Sequence, residues 1–451
     1  MSARLRGRQM QTRWRKPGLR TYYLLVATQT VSQVGSRISF FAVGISVFTQ
    51  TSHATPIAII SFCQALPWIV GAGFGGALAD RYDRRWLLIL ANAGFVVTSG
   101  LLLASFASGA FRLWHLYALA LVTSAILTVS APAFGASVAM LVPDSHRDRA
   151  NAIAQMTGPA ANAIAPALAG LLYAVIGLTG AILIDIATFG VAILALLAVR
   201  IPMPARTTEG RVMARAVWRQ AFDGVRYLGA RPPLLGLCLV VGLVAFLMGG
   251  LGVLILPYPL ARTHSTLAFG IVLACADVGT AAGAAAMAAW GGTRPRIHTV
   301  MLALFVAGLL LALAGTARTT ATLAASFFAF MFALPFVRTA STSIFQAKVA
   351  PDVQGRVFAA MGQIAMLTTP LAFLIAGPLT DRVAEPAVRS PGWGAVAWLV
   401  GANAGAGMGL LLVIGGLATA ALSLLAYALP AMRRLEATLP DHAAAAAESE
   451  R

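Results

Sequence analysis

Four charged residues interrupt long apolar runs: Arg37, Asp185, Asp277 and Arg338. A charge at the centre of a bilayer-spanning helix costs about 2.5–3.5 kcal/mol on insertion scales, so each should face a partner or a wet cavity. Asp277 stands near the middle of its run, in Leu273-Ala274-Cys275-Ala276-Asp277-Val278-Gly279. A carboxylate there binds or releases a proton when a substrate alters the balance between desolvation and a nearby arginine. It is the first candidate for proton coupling, with a structural ion pair to Arg37 or Arg338 as the alternative. Asp185 is the second candidate, although its place about five residues from the end of its run suits a structural role better. Arg37 and Arg338 can each bind an anionic group of a substrate or lock a gate. Gln33, Arg37 and Phe40 fall on one face at helical spacing, with Gln29 and Phe41 in the same run. Polar groups among aromatic rings suit an amphiphilic ligand. Ordinary helix packing is the alternative for any one of these residues.

The elements that must hold these residues are membrane helices. Of 451 residues, 59% are hydrophobic and 11% charged, and the mean hydropathy is +0.81. Soluble chains carry about 25% charged residues. A soluble enzyme, a disordered chain and an outer-membrane barrel are all excluded, because barrels show weak alternation and not long apolar runs. A spanning helix needs about 20 apolar residues, and twelve runs are found, roughly 21–48, 55–79, 86–108, 114–141, 150–177, 180–199, 234–260, 266–290, 297–316, 320–347, 356–380 and 394–429. They divide the chain into a basic N-terminus (1–20), a first six-helix half (21–199), a charged linker (200–233), a second six-helix half (234–429) and a tail (430–451). The linker stretch from Arg211 to Leu228 suits either a basic amphipathic helix on the membrane surface or a solvated connection. The net charge of +18 does not point to nucleic acid, since no folded basic stripe is present. With the N-terminus inside, 26 of the 33 Lys/Arg lie in cytoplasmic segments and five outside. That bias predicts both termini in the cytoplasm of a bacterial-type inner membrane. Cys63, Cys238 and Cys275 form no disulfide framework, the six histidines have no metal spacing, and no cofactor loop is present.

Motifs between the runs carry the conformational argument. Gly76-Ala77-Leu78-Ala79-Asp80-Arg81-Tyr82-Asp83-Arg84-Arg85 joins runs 2 and 3. Its small residues allow close helix approach, and Asp80 can meet the N-terminus of a neighbouring helix. An ordinary cytoplasmic turn is the plainer alternative. Val142-Pro143-Asp144 before Arg149 and Ala350-Pro351-Asp352 before Arg356 match at an offset of 208 residues, and Pro166 and Pro370 match at 204. These matches argue for two structurally similar halves. Gly401, Gly405 and Gly409, spaced by four, suggest helix packing in the last run, as do Pro166 and Gly170 in the fifth.

The stretch from Gly76 to Arg85 resembles the loop 2–3 signature of the major facilitator superfamily, departing from it with Asp83 where glycine is usual. Gly35-Ser36-Arg37, the segments at 141–152 and 351–358, and the Ile-Asp-Ile-Ala-Thr-Phe context of Asp185 resemble its macrolide-efflux-like branch. The exporter signature of the fifth helix is degraded to Ala165-Pro166-Ala167-Leu168-Ala169-Gly170. The resemblance implies an all-α fold of twelve transmembrane helices in two pseudo-symmetric bundles that rock about a shared cavity. It implies that helices 1, 4, 7 and 10 line this cavity. It also implies that Asp80 pairs with the start of helix 11, near Asp352 and Arg356, and stabilises the outward-facing state. Gly76, Asp80, Arg81, Arg84, Arg85, Asp144, Arg149, Asp352 and Arg356 are thus the expected gate.

The function expected is proton-coupled export of amphiphilic drug-like or natural-product molecules by a monomer in the bilayer. No nucleotide loop is present to use ATP. An exporter of an anionic metabolite, siderophore or lysophospholipid is the alternative, and a non-transporting membrane sensor or enzyme is the alternative from another class.

Overall fold

In the computed structural model the described residues are 19–141, 147–199, 226, 229–349 and 351–438. The linker, the loop holding Asp144 and most of both termini lie outside them. All regular structure among the described residues is helical. The principal helices are α1 (Leu19–Thr51), α2 (Thr55–Arg81), α3 (Arg84–Ala107), α4 (Leu113–Leu141), α5 (Arg147–Ala198), α6 (Pro232–Gly252), α7 (Pro257–Thr263), α8 (Thr266–Trp290), α9 (Arg296–Thr316), α10 (Thr320–Lys348), α11 (Pro351–Leu379), α12 (Gly394–Val400) and α13 (Ala406–Ala428). Among the described residues ten helices are long and apolar enough to cross a membrane.

Turn chemistry explains where these helices stop. Asp83 caps α3 by accepting from the Arg85 N–H at 2.8 Å. The departure from glycine at this position therefore supplies a capping oxygen where the chain turns. Ser265 caps α8 through the Ala268 N–H, and Thr319 and Thr322 form a reciprocal capping box at the start of α10. α5 is broken at Gly177, whose φ of 63° is non-helical, so its two limbs fold back on each other.

The last predicted run is also broken. Gly401 and Gly405 both have φ of +80° and belong to the loop between α12 and α13, not to a continuous helix face. Here glycine's freedom at positive φ overrides the small-residue spacing. Gly409 alone of the three lies in α13, where its Cα faces the Gly315 carbonyl of α9. The predicted tail begins as structure: Met432 and Leu435 are buried in the second half, and the Lys348 Nζ donates to the Glu436 carbonyl at 2.8 Å.

α1 begins and α13 finishes at one end of the bundle, here the terminal end; α1 reaches α2 at the opposite, far end. The halves meet where α2 packs on α11 and α5 packs on α8. At the far end one apolar cluster joins Ile45, Phe48 and Ile57 to Leu254, Phe269 and Phe327. At the terminal end the clusters of described residues belong to one half each. One holds Tyr22, Leu88, Leu141 and Leu196, and another holds Leu237, Ile297, Ile344 and Val357.

Candidate substrate cavity and gates

A cavity of about 630 Å³ lies among α1–α4 and the second limb of α5. All its described lining residues fall between 29 and 189, so among the described residues it belongs to the first half. α1 contributes Gln29, Gln33, Arg37 and Phe40, one face of a helix at spacings of three and four residues. Trp68, Phe95, Phe134 and Phe189 give it aromatic walls, and Gln64 and Asn92 add amides. Asn92 is buried, its amide donates to the Leu88 carbonyl, and its Oδ1 has no hydrogen-bond partner among the described residues.

Asp185 lies at the cavity wall, 4% exposed. Its Oδ1 accepts from the Ser36 hydroxyl at 2.9 Å and its Oδ2 from the Ser99 hydroxyl at 2.8 Å. The carboxylate therefore ties α1, α3 and α5 together. Ser32 adds a bond to the Thr188 carbonyl, and Gly35 lets α1 approach Thr188 closely. Sequence reasoning found Asp185 but neither serine. Ser36 sits one residue before Arg37, in the very motif quoted there.

Of the five predicted cavity residues, Gln33, Arg37 and Phe40 line the space. Phe41 does not. Its ring meets Phe269 of α8 edge-on, with centroids 5.9 Å apart, because adjacent helical residues point about 100° apart. Arg338 is exposed on α10 and away from this cavity. Asp277 is partly buried near the middle of α8 and attracts Arg37 electrostatically across the junction of the halves. No hydrogen bond and no ion pair within 4 Å joins the two, and neither is paired with Arg338.

Several predicted gate and packing residues fall outside what can be described. Asp144 lies outside the described residues, and the side chains at Gly76, Asp80, Arg81, Arg149, Pro166, Asp352 and Arg356 are likewise outside. Arg84 and Arg85 open α3. The Arg85 guanidinium donates to the Leu196 and Leu197 carbonyls at 2.9 and 2.7 Å, closing the C-terminus of α5 with a cation, as the helix dipole favours. Gly170 faces the Thr266 carbonyl and the Gly270 backbone of α8, which makes it a contact between the halves.

The far end carries polar contacts made by residues that fall between the predicted runs. Arg262 donates to the Val400 carbonyl at 2.6 Å and Arg318 to the Trp398 carbonyl at 2.7 Å, so both cap α12. Asp381 accepts from the Ala54 and Thr55 N–H groups at the start of α2. A second cavity, of about 820 Å³, is lined there by His53, His264, Asp381, Glu385 and Arg389 among others. Among the described residues no cluster of three metal-ligating side chains is found.

The Major Facilitator Superfamily profile matches residues 25–372, and the chain belongs to that family of membrane transporters. It is 25% identical to macrolide efflux protein A of Streptococcus pyogenes over 378 residues, covering 80% of this chain and 90% of that one. It is 22% identical to the multidrug efflux pump Tap of Mycolicibacterium fortuitum, covering 79% and 88%. Among solved structures it resembles a bacterial homolog of the human lysosomal transporter Spinster, in an inward-facing and unoccupied conformation, with a TM-score of 0.67 and 16% identity over 91% of this chain and 95% of that one. It also resembles the nucleoside transporter NupG, with a TM-score of 0.67 and 11% identity over 90% and 98%. The chain is thus a multi-pass membrane transporter with efflux pumps among its relatives. A sensor or membrane enzyme is not what this family describes.

Proposed function

We propose that this transporter exports amphiphilic drug-like or natural-product molecules by alternating access, driven by proton entry. The observation that carries this reading is the cavity of about 630 Å³ with amides, a buried carboxylate and an arginine set among aromatic rings. Such a lining binds one polar group firmly and tolerates varied apolar bodies. The efflux pumps among the relatives support the direction of transport. Asp277 is the proposed proton site. It is a titratable group at the junction of the halves, close enough to Arg37 to feel cargo bound beside that residue.

The proposed topology is twelve crossings in two bundles, with both termini in the cytoplasm. The ten long apolar helices become twelve when α2, 27 residues long, is counted and α5 is divided at Gly177. The lysine and arginine bias supports the terminal end as cytoplasmic. Shared apolar packing at the far end supports a state closed to the outside, like the inward-facing relative.

Proteoliposomes loaded with a pH-sensitive dye test the function. Cationic and neutral amphiphiles, macrolides included, are expected to elicit proton movement coupled to their own flux; cargo movement indifferent to the proton gradient would remove the coupling. Arg37 at the cavity wall favours a second reading, in which the cargo is an anionic amphiphile such as a lysophospholipid. On that reading Arg37→Ala abolishes transport of anionic dyes and spares cationic ones.

A further inference from the structure

α2 begins without a cap of its own. Ala54 stands at its cap position and makes no side-chain hydrogen bond, so the first N–H groups of the helix need an acceptor from elsewhere. Asp381 supplies it from the other half of the chain. Its Oδ1 accepts from the Ala54 N–H at 2.8 Å and its Oδ2 from the Thr55 N–H at 2.7 Å. Both oxygens of one carboxylate are thus spent on one helix start. The side chain is 8% exposed, and His53 Nδ1 lies 3.9 Å from Oδ1. One turn earlier, Gly377 lies against the Thr55 backbone and the Ala58 side chain with no room for a Cβ.

The residues that deliver Asp381 repeat a pattern already seen. Gly377-Pro378-Leu379-Thr380-Asp381-Arg382 has the spacing of Gly76-Ala77-Leu78-Ala79-Asp80-Arg81: glycine, leucine, aspartate and arginine fall at the same places in each. The first occurrence finishes α2 at the terminal end. The second follows α11 at the far end, where the chain continues through one π-helical turn, Thr380–Ala384. α2 and α11 run against each other, so the same signature sits at opposite ends of one helix pair.

We propose that Asp381 is the far-end gate residue. It holds the two halves together by capping α2 and releases that cap whenever they part at this end. Asp80 and Asp381 then act as opposed latches, each favouring closure of its own end. This inference rests on the alternating-access reading given above. A carboxylate at a helix start is favoured by its hydrogen bonds and by the helix dipole together. Asparagine keeps the shape but loses the charge and one acceptor, so Asp381→Asn should shift the balance between the two states by about tenfold.

The test uses the full chain in lipid vesicles with its three cysteines replaced by alanine. Spin labels are carried on Gln50→Cys and Ser390→Cys, both exposed at the far end, and pulsed electron resonance reads the distance between them. Asp381→Asn should enlarge the separated population, Asp381→Glu should restore much of the closed one, Asp80→Asn should shift it the opposite way, and the double variant should return toward the parent. A distance distribution unmoved in folded Asp381→Asn protein overturns the proposal. Should that variant not fold, amide hydrogen exchange over residues 54–55 of the parent chain decides. Protection that rises and falls with the closed population supports the latch, and protection indifferent to it overturns the latch. Parent vesicles that move no amphiphile would refute the transport reading, while the label distances would still judge the latch.

Discussion

Helices α3 and α5 in the first half, and α9 and α13 in the second, are joined by opposite means. Phe95 and Phe189 stack between α3 and the second limb of α5 with centroids 4.8 Å apart, and both rings face the cavity. Gly308 and Gly315 of α9 instead lie directly on the Gly416 and Gly409 backbones of α13. α8 and α10 follow the second pattern, with Gly279 and Gly283 against the Phe328 and Phe332 backbones. Inside a bilayer no hydrophobic force drives helices together, so contact distance governs how firmly they pack. Rings act as spacers and leave room for a guest. Glycines bring backbones together and leave none. On the reading proposed above, the contrast divides the labour: the first half receives the cargo, and the second is the stiff body against which the first rocks.

Forcing a spacer into a glycine seam should have the largest effect. Gly416→Leu places a side chain against the Gly308 carbonyl and the Ala312 backbone. The expected outcome is no monodisperse protein on size-exclusion chromatography, whereas Gly190→Ala, with nothing within 4 Å, should match the parent yield. If Gly416→Leu matched the parent too, the stiffness assigned to the second half would be wrong. Next comes the junction between the halves. Asp277→Asn should fold normally yet reduce proton-coupled flux in proteoliposomes to that of empty vesicles, and retained coupling would move the proton site elsewhere. A smaller change follows from trimming the spacer itself. Phe95→Ala should widen the cavity and alter the ratio of kcat/KM between bulky and slim cargoes by about tenfold, read in competition assays. The least effect is expected at Ser99→Ala, which removes one of two hydroxyls bonded to Asp185. It should cost about 0.6 kcal/mol, the average for hydrogen bonds between membrane helices, visible as a slight fall in Tm.

Sequence alone revealed much of this and missed the rest for identifiable reasons. Long apolar runs and the loop 2–3 signature disclosed the class of fold, and one helical face disclosed Gln33, Arg37 and Phe40. Phe41 and Arg338 lie off the cavity: Phe41 stands about 100° around α1 from Phe40, and spacing alone does not say which face of α10 turns toward the first half. Gly401 and Gly405 looked like packing glycines because spacing cannot distinguish a seam from two turns. The glycines of the seams, Gly279/Gly283, Gly308/Gly315 and Gly409/Gly416, recur at spacings of four and seven, yet spacing does not say which backbone each one meets. Asp381 falls just past the eleventh predicted run, although its Gly-x-Leu-x-Asp-Arg setting repeats the signature of Asp80. What no spacing could supply was its partner, some 327 residues away.

The break at Gly177 has a mechanical consequence. Its two limbs meet without a connecting loop, one bearing Gly170 against α8 and the other bearing Asp185 at the cavity wall. On the alternating-access reading, such a hairpin is a lever: a slide of α8 is passed through this short joint to the carboxylate on the other arm.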